Sequence, residues 1–298
     1  MKSMKAGRII SDVVIYLILT VLSLIWIAPI VWLILQSFGA GGIAVRSMLV
    51  PKKFTFDNYL WLFSNWTGKT NPTASVTAYD GMFARWFLNT LIVSVITCLI
   101  STLLILGTAY GLSRFRFKGR QTLMKVNLAI GMFPGFLSLI IMYWVMRDIF
   151  HLQGSYWSLV IIYSAGAGGG YYISKGFFDT ISKNIDEAAM IDGASRNDIF
   201  WKIILPLAKP ILVYTVLTSF MGPWGEYVTS SYIIGLQNPN NWTVAIGLYQ
   251  FISGQDYATT YYTQFAAGSI VVALPISVLF FLLQRYYVSG VTGGAVKG

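Results

Sequence analysis

Apolar runs, all but one of them without a charged residue, alternate with short charged segments along the whole 298-residue chain. Each run has about 20 or more residues, and at about 1.5 Å per residue a helix of that length crosses a hydrocarbon layer about 30 Å thick. We therefore predict an all-α, polytopic membrane protein with six transmembrane helices. The predicted spans are residues 13–36, 86–112, 126–146, 152–174, 210–236 and 262–284.

Two of these runs contain helix-breaking or small residues. Pro134 and Gly135 lie in the middle of the third run and predict a kink. The stretch 165–170, Ala-Gly-Ala-Gly-Gly-Gly, lies in the fourth run, where small residues favour close helix packing in lipid; a hinge beside a pore is the alternative. We divide the chain into an N-terminal span with its outer loop, 1–85, and a core domain, 86–298.

Composition supports the membrane assignment. Hydrophobic residues make up 56% of the chain and charged residues 11%, with a mean hydropathy of +0.64. The net charge of +10 does not indicate nucleic-acid binding, because the basic residues flank apolar runs, as orientation signals do. Lys2, Lys5 and Arg8 before the first run, and the basic cluster 113–120 after the second, predict that both termini and this cluster are cytoplasmic. Residues 237–256 are predicted to form an outer loop.

The segment 184–206 is a polar interruption between two apolar runs, and its pattern predicts two short helices. Asn184 with Glu187, and Ser195 with Asp198, each have the spacing of a capping box. Gly193 lies between the two start signals, where a helix end turns most easily through a left-handed conformation.

The flanks of Gly193 differ in character. Small Ala188 and Ala189 leave a low surface that another backbone can approach closely. The second helix has an apolar stripe suited to the membrane face or to neighbouring spans, and Pro206 is expected to end it before Pro210 opens the next helix. The stripe consists of Ile199, Phe200, Ile203 and Ile204. A capped helix pair lying on a membrane surface would also fit this pattern.

The spacing of Glu187-Ala188-Ala189, Gly193 and Ile203-x-Leu205-Pro206 resembles, position for position, the EAA loop of ABC importer permeases. The resemblance implies that this loop, within about 176–209, is a coupling helix held in a groove of a cytoplasmic ATPase. The residues that would carry the coupling are Glu187, Ala188, Ala189, Asp192, Gly193, Ile203, Leu205 and Pro206.

The resemblance covers most of the chain. Asn89-Thr90, the cluster 113–120, the stretch 175–181, Thr243 to Leu248 and the ending 284–298 are similar to the six-span permeases of maltose and maltodextrin importers. It implies an oligosaccharide importer, with malto-oligosaccharides or a related sugar as substrate. The implied partners are a second permease subunit, two ATPase subunits holding ATP and magnesium, and an extracytoplasmic solute-binding protein. In that family the permease tail can also reach the ATPase, so an extended tail contact is expected at Gly293, Gly294, Lys297 and Gly298; a frayed chain terminus is the alternative.

No reaction chemistry of its own is visible in the sequence. There is no G-x-x-x-x-G-K-[ST] phosphate loop, no catalytic constellation and no metal-ligand spacing, so we expect a non-enzymatic subunit without a cofactor. The alternative is a stand-alone, gradient-driven carrier, which needs ionisable groups within the membrane. Glu226 is the one candidate, and with Trp224 it is a candidate for the pore or its outer gate. Trp224 to Tyr227 resembles a family Trp-Asn-Glu-Phe pattern, but Gly225 replaces the Asn.

Overall fold

The computed structural model describes residues 2–40, 46–63, 81–166, 169–253 and 260–295. Most of the described residues are helical, and the only β-type pairing among them is an isolated bridge between Gly39 and Phe54. The all-α prediction is confirmed. The helices are α1 Lys2–Ser37, α2 Asp57–Phe63, α3 Phe83–Arg114, α4 Arg120–Gly131, α5 Gly135–Trp144, α6 Tyr156–Gly166, α7 Tyr171–Thr180, α8 Lys183–Ile191, α9 Arg196–Leu207, α10 Lys209–Gly225, α11 Val228–Ile234, α12 Val244–Ile252 and α13 Tyr262–Ala295.

Three helices of the described chain are long and apolar enough to cross a membrane: Ser11–Ser37, Phe83–Arg114 and Tyr262–Tyr286. A fourth span is added if α9 and α10 are counted together, although their axes differ by 85°. The remaining predicted spans are built from shorter pieces. The third run breaks between Gly131 and Gly135, and the fourth is divided between α6 and α7. The expected number of six spans therefore stays a prediction.

The chain separates into two compact units, one of residues 1–81 and 250–271, the other of residues 82–249 and 272–298. In the first unit α2 folds back on the end of α1, because Asn58 donates to the carbonyls of Ser37 and Gly39 at 2.9 and 3.0 Å. The Ser37 and Tyr59 hydroxyls share a hydrogen bond of 2.6 Å. The division at residues 85 and 86 that we drew from sequence stays a prediction.

In the second unit α3 is the central helix, and it packs against α6, α7 and α10. Its buried face includes the small polar residues Ser94, Thr97 and Ser101, which let neighbouring backbones approach closely. The position of these small residues therefore determines which side of α3 packs against the other helices, although the helix is apolar overall.

Part of the predicted outer loop at 237–256 is helical, because Val244–Ile252 form α12, and the outer location of this segment stays a prediction. Asn89 of α3 donates to the carbonyls of Asn240 and Trp242, both at 2.9 Å. The backbone N–H of Val244 donates to the Thr90 hydroxyl at 2.8 Å. These bonds fix the start of α12 against α3, so this segment is ordered by contacts that its own sequence does not reveal.

Candidate functional site

The polar interruption folds into a helical hairpin, α8–Gly193–α9. Ser182 caps α8, since its hydroxyl accepts from the Asn184 N–H at 3.3 Å. This corrects the expected cap at Asn184. The helix already begins at Lys183, so Asn184 lies in its first turn and Ser182 has the extended backbone that a capping residue needs.

The turn of the hairpin is at Gly193, whose φ of +83° is left-handed as predicted. The Gly193 N–H donates to the Met190 carbonyl at 3.1 Å, and the Ala194 N–H donates to the Ala189 carbonyl at 2.9 Å. This is the Schellman pattern that closes helix C-termini. The predicted second cap is confirmed, because Ser195 accepts from the Asp198 N–H at 3.1 Å.

The two faces of α8 differ in burial. Ala189, which is 7% exposed, faces the protein core together with Asp186. Glu187 and Ala188 are exposed on the other side, where Met190 and Ile191 are 46% and 86% exposed. Asp192 and Gly193 are exposed at the tip. The hairpin therefore presents a surface that mixes a carboxylate, a small residue and uncovered apolar side chains.

The second helix of the hairpin is anchored in the core. Ile199 and Ile204 are fully buried in a cluster with residues of α3 and α7, and Ile203 and Leu205 are partly buried against it. Pro206 is exposed in the last turn. It does not itself end the helix as expected; α9 continues to Leu207, and the chain turns at Ala208 into α10. Helix α9, in which Ile199–Ile204 are wound as a π-helix, thus connects the exposed hairpin tip to the apolar helix α10.

A buried ion pair joins α8 to the end of α3. The Arg114 Nε lies 2.9 Å from the Asp186 carboxylate, and the two side chains are 5% and 11% exposed. The Arg114 Nη2 also donates to the Ile181 carbonyl at 3.0 Å. Burial raises the pKa of Asp186, while the Arg114 charge opposes that rise.

A second pair of contacts joins α3 to α7 nearby. The Ser113 hydroxyl donates to Asp179 at 2.6 Å, and the Lys175 ammonium lies 2.6 Å from the other Asp179 oxygen. Burial alone would raise the pKa of Asp179, but the hydrogen bonds from Lys175 and Ser113 lower it below its ordinary value. The end of α3 is therefore tied to both α7 and α8.

A charged cavity of about 460 Å³ opens beside this ion pair. The end of α3 and the chain just after it, the exposed side of α8 and the start of α9 form its walls. Its charged lining residues are Arg114, Arg116, Lys183, Asp186, Glu187 and Arg196.

A separate cavity of about 510 Å³ lies among α3, α5, α6 and α10. Hydroxyl groups of Thr97, Ser101 and Thr218 line it, together with the Glu226 side chain. The Glu226 carboxylate accepts from the Thr229 N–H at 2.8 Å and thereby stabilises the first turn of α11.

Trp224 does not line this cavity. It is 2% exposed and packs against the rings of Phe87 and Phe220, at centroid distances of 5.2 and 5.8 Å. The gate role that we considered for Trp224 and Glu226 stays a prediction.

The C-terminal tail differs from the expected extended segment. Helix α13 continues to Ala295 and includes Gly293 and Gly294. Lys297 and Gly298 lie outside the described residues. The contact of the tail with an ATPase stays a prediction.

Comparison with known proteins identifies the family. Residues 101–293, which include the hairpin and the helices that anchor it, match the model of the family described as "Binding-protein-dependent transport system inner membrane component". The chain belongs to this family. It is therefore a multi-pass membrane protein of ABC transport systems, and the expected kinship with maltodextrin-type permeases is confirmed by named relatives.

Relatives of this permease family match nearly the whole chain. The galactooligosaccharides transport system permease protein GanQ of Bacillus subtilis (strain 168) is 36% identical over 99% of both chains. The maltodextrin transport system permease protein MalD of Streptococcus pneumoniae (strain ATCC BAA-255 / R6) is 34% identical over 99% of both. The maltose/maltodextrin transport system permease protein MalG of Vibrio vulnificus (strain YJ016) is 32% identical over 91% of both.

A solved structure confirms the permease fold. A chain from the crystal structure of a bacterial ABC transporter involved in the import of the acidic polysaccharide alginate superposes with a TM-score of 0.74. The match covers 93% of this chain and 96% of that one, at 22% sequence identity. At this identity the likeness shows the shared fold alone.

Proposed function

We propose that this chain is a permease subunit of an ATP-driven importer of oligosaccharides, with malto-oligosaccharides or a related sugar as substrate. Relatives named for galactooligosaccharide and maltodextrin transport match it over nearly its whole length, which supports this class of cargo. The subunit has no catalytic role in this proposal. ATP and magnesium bind to two partner ATPase subunits, a second permease completes the pathway, and a solute-binding protein delivers the sugar from outside.

The coupling element in this proposal is the α8–Gly193–α9 hairpin, which docks in a groove of an ATPase subunit on the cytoplasmic side. The observation that carries it is the 86% exposure of Ile191 on a helix whose opposite face is buried. Covering a side chain of this type contributes about 1.5–3 kcal/mol, so an isoleucine left at a hairpin tip suits a protein partner. Glu187 and Asp192 would provide polar contacts around it.

Motion would pass from the hairpin to the membrane through two connections. Ile203 and Leu205 pack α9 into the core, and α10 follows after one turn of the chain at Ala208. The Arg114–Asp186 ion pair connects α8 to α3. Closure of the ATPase pair would therefore displace α3 and α10 together, and these helices border the hydroxyl-lined cavity. Such a displacement would open the cavity alternately to the two sides of the membrane, which is alternating access.

The alternative of a stand-alone, gradient-driven carrier receives no support. Membership of a binding-protein-dependent family associates the chain with an assembled transport system. Glu226, the ionisable residue on which that alternative depends, accepts backbone hydrogen bonds from Thr229 and Ser230 in a structural role.

The test replaces Gly193 with Asp or with Asn in the full chain, expressed with its ATPase and second permease. A Cβ at position 193 meets no atom within 4 Å, and Asn and Asp both tolerate a left-handed backbone. The two variants should therefore reach the membrane in similar amounts. Desolvation of the Asp charge in the docked groove should lower ATPase co-purification about tenfold or more, and sugar uptake with it.

The Asn variant is the matched control, because it has the same size and shape without the charge. We expect it to retain at least about half of the bound ATPase, a loss below about 0.5 kcal/mol. Loss of ATPase co-purification in both variants would indicate that the ATPase groove has no space for any side chain at position 193. That result would still place the turn at the interface. Wild-type uptake and wild-type ATPase binding by the Asp variant would contradict the proposal.

A further inference from the structure

The cavity of about 460 Å³ beside α8 has an excess of positive charge. Its walls carry four basic side chains and two acidic ones: Arg114, Arg116, Lys183 and Arg196 against Asp186 and Glu187. Asp186 pairs with Arg114. Within the described residues, neither Arg116 nor Lys183 has a carboxylate at ion-pairing distance. The cavity therefore has the electrostatics of an anion site.

A buried donor at the cavity wall is left without a partner. The Arg114 side chain is 5% exposed, its Nε is used by the ion pair and its Nη2 by the Ile181 carbonyl. Its Nη1 is buried and has no hydrogen-bond partner among the described residues. The Arg114 Nε and the two Asp186 carboxylate oxygens are ion-paired but also lack a hydrogen bond of good geometry. An unsatisfied buried guanidinium N–H is costly, which favours occupation of the cavity by an acceptor. A phosphate oxygen is a preferred acceptor for arginine.

The surroundings of the cavity are those of a membrane interface. Phe115, which lines it, and Phe117 are 36% and 49% exposed, and they alternate with the cations Arg116 and Lys118 just after the apolar helix α3. A second hollow of about 450 Å³ shares Arg116 and is lined by Phe117 and Arg120. Aromatic rings beside basic residues at the end of a spanning helix favour lipid headgroups.

We propose that this cavity binds the phosphate group of an anionic phospholipid, with Arg114, Arg116 and Lys183 as its donors. The proposal rests on the cytoplasmic membrane placement given under Proposed function. Because the end of α3 and the first turn of α8 both contribute donors, a bound headgroup would hold the coupling helix in its docked position. A soluble phosphate offers the same oxygens, and the experiment separates these two sources.

The experiment compares two double variants of the full chain, purified in detergent with its co-expressed subunits. Arg116→Gln with Lys183→Gln removes two charges from the cavity. Lys125→Gln with Lys209→Gln removes two charges from exposed positions that line neither hollow and form no ion pair among the described residues, and it is the matched control. Native mass spectrometry measures retained phosphatidylglycerol in a titration against phosphatidylcholine.

We expect the wild type and the control pair to retain phosphatidylglycerol in preference to phosphatidylcholine. The cavity pair should bind it about fivefold more weakly for each charge removed. Phosphatidylglycerol binding that is equal in the two double variants, or absent from the wild type, would overturn the lipid assignment.

A second arm titrates inorganic phosphate in a neutral detergent and follows the melting temperature. Stabilisation of the wild type and the control pair, but not of the cavity pair, without any lipid preference would assign the site to a soluble phosphate. Absence of both effects overturns the site itself. Failure of the coupling proposal would be seen separately, as ATPase retention by the Gly193→Asp variant with unchanged lipid binding.

Discussion

At the scale of single residues, the Arg114–Asp186 pair is the most heavily buried charge contact of the candidate site. Burial raises the pKa of Asp186, and the nearby Arg114 charge lowers it again without cancelling the rise. Desolvation therefore outweighs attraction for this carboxylate. A pair of this kind contributes little net stability, but removal of one partner leaves an uncompensated charge in the interior.

We expect Arg114→Met to lower the free energy of unfolding by about 3 kcal/mol, because Asp186 then remains buried without its cation. Adding Asp186→Leu to the same protein should restore stability to within about 1 kcal/mol of the wild type. Melting temperatures of the purified complex in detergent measure both. A single variant as stable as the double variant would show that the carboxylate is not desolvated.

The loss of unfolding free energy caused by Arg114→Met should depend on pH, and the direction of this dependence follows from the pKa of Asp186. The folded-state pKa of Asp186 is raised, so the stability associated with its protonated form is present at low pH and is lost as pH rises through that pKa. Loss of Arg114 raises this pKa further. The defect should therefore be larger at about pH 8 than at about pH 5.

At the scale of elements, sequence patterns located most helices but only some of their breaks. Pro134 with Gly135 was expected to kink the third run, and the structure has a full break there. The predicted fifth span was continuous over 210–236, so the break between α10 and α11 at Glu226 was not expected. The break is not at Pro223, which lies inside α10, because the helix continues past it to Gly225. That break depends on Glu226 accepting the N–H groups of the next helix, and local pattern does not report a capping contact of this kind.

The same limit applies to α12, which we predicted as part of an outer loop. Its nine residues are too few to span a membrane, and its order depends on Asn89, Thr90 and Trp86 of α3. In the sequence, Asn89-Thr90 is distinguished only by its resemblance to the family. The structure shows its physical role, which requires contacts across about 150 residues of chain that no local period encodes.

A glycine of α12 tests this docking. A Cβ built at Gly247 would lie 1.9 Å from the Trp86 ring, so Gly247→Ala requires α12 to move away from α3. We expect a loss of at least about 3 kcal/mol, the upper end of the range for overpacked cores, seen as a lower melting temperature. Gly107→Ala is the control, because a Cβ there meets nothing within 4 Å, and it should be neutral or slightly stabilising. Equal melting temperatures for the two variants would contradict the packing of α12 on Trp86.

At the scale of the whole molecule, apolar runs and the distribution of charge predicted an all-α membrane protein, and the described helices and the family confirm it. The orientation of the chain in the membrane does not follow from its fold, because it depends on the bilayer and on insertion rather than on contacts within the chain. We expect the basic cluster 113–120 and the hairpin to lie on the cytoplasmic side. The anion site and the ATPase docking surface would then face the same compartment.

Single-cysteine labelling in intact cells tests this orientation. Cys98 is buried and is replaced by Ser, and the exposed positions Lys118, Asn197 and Gln237 are changed to Cys one at a time. A membrane-impermeant maleimide should label only Gln237→Cys, because positive residues retain the other two segments inside. After the membrane is permeabilised, Lys118→Cys should react as well, and Asn197→Cys should react once the ATPase is removed. Labelling of Asn197→Cys in intact cells would place the hairpin outside, where no ATP-hydrolysing subunit could hold it, and the coupling proposal would fail with it.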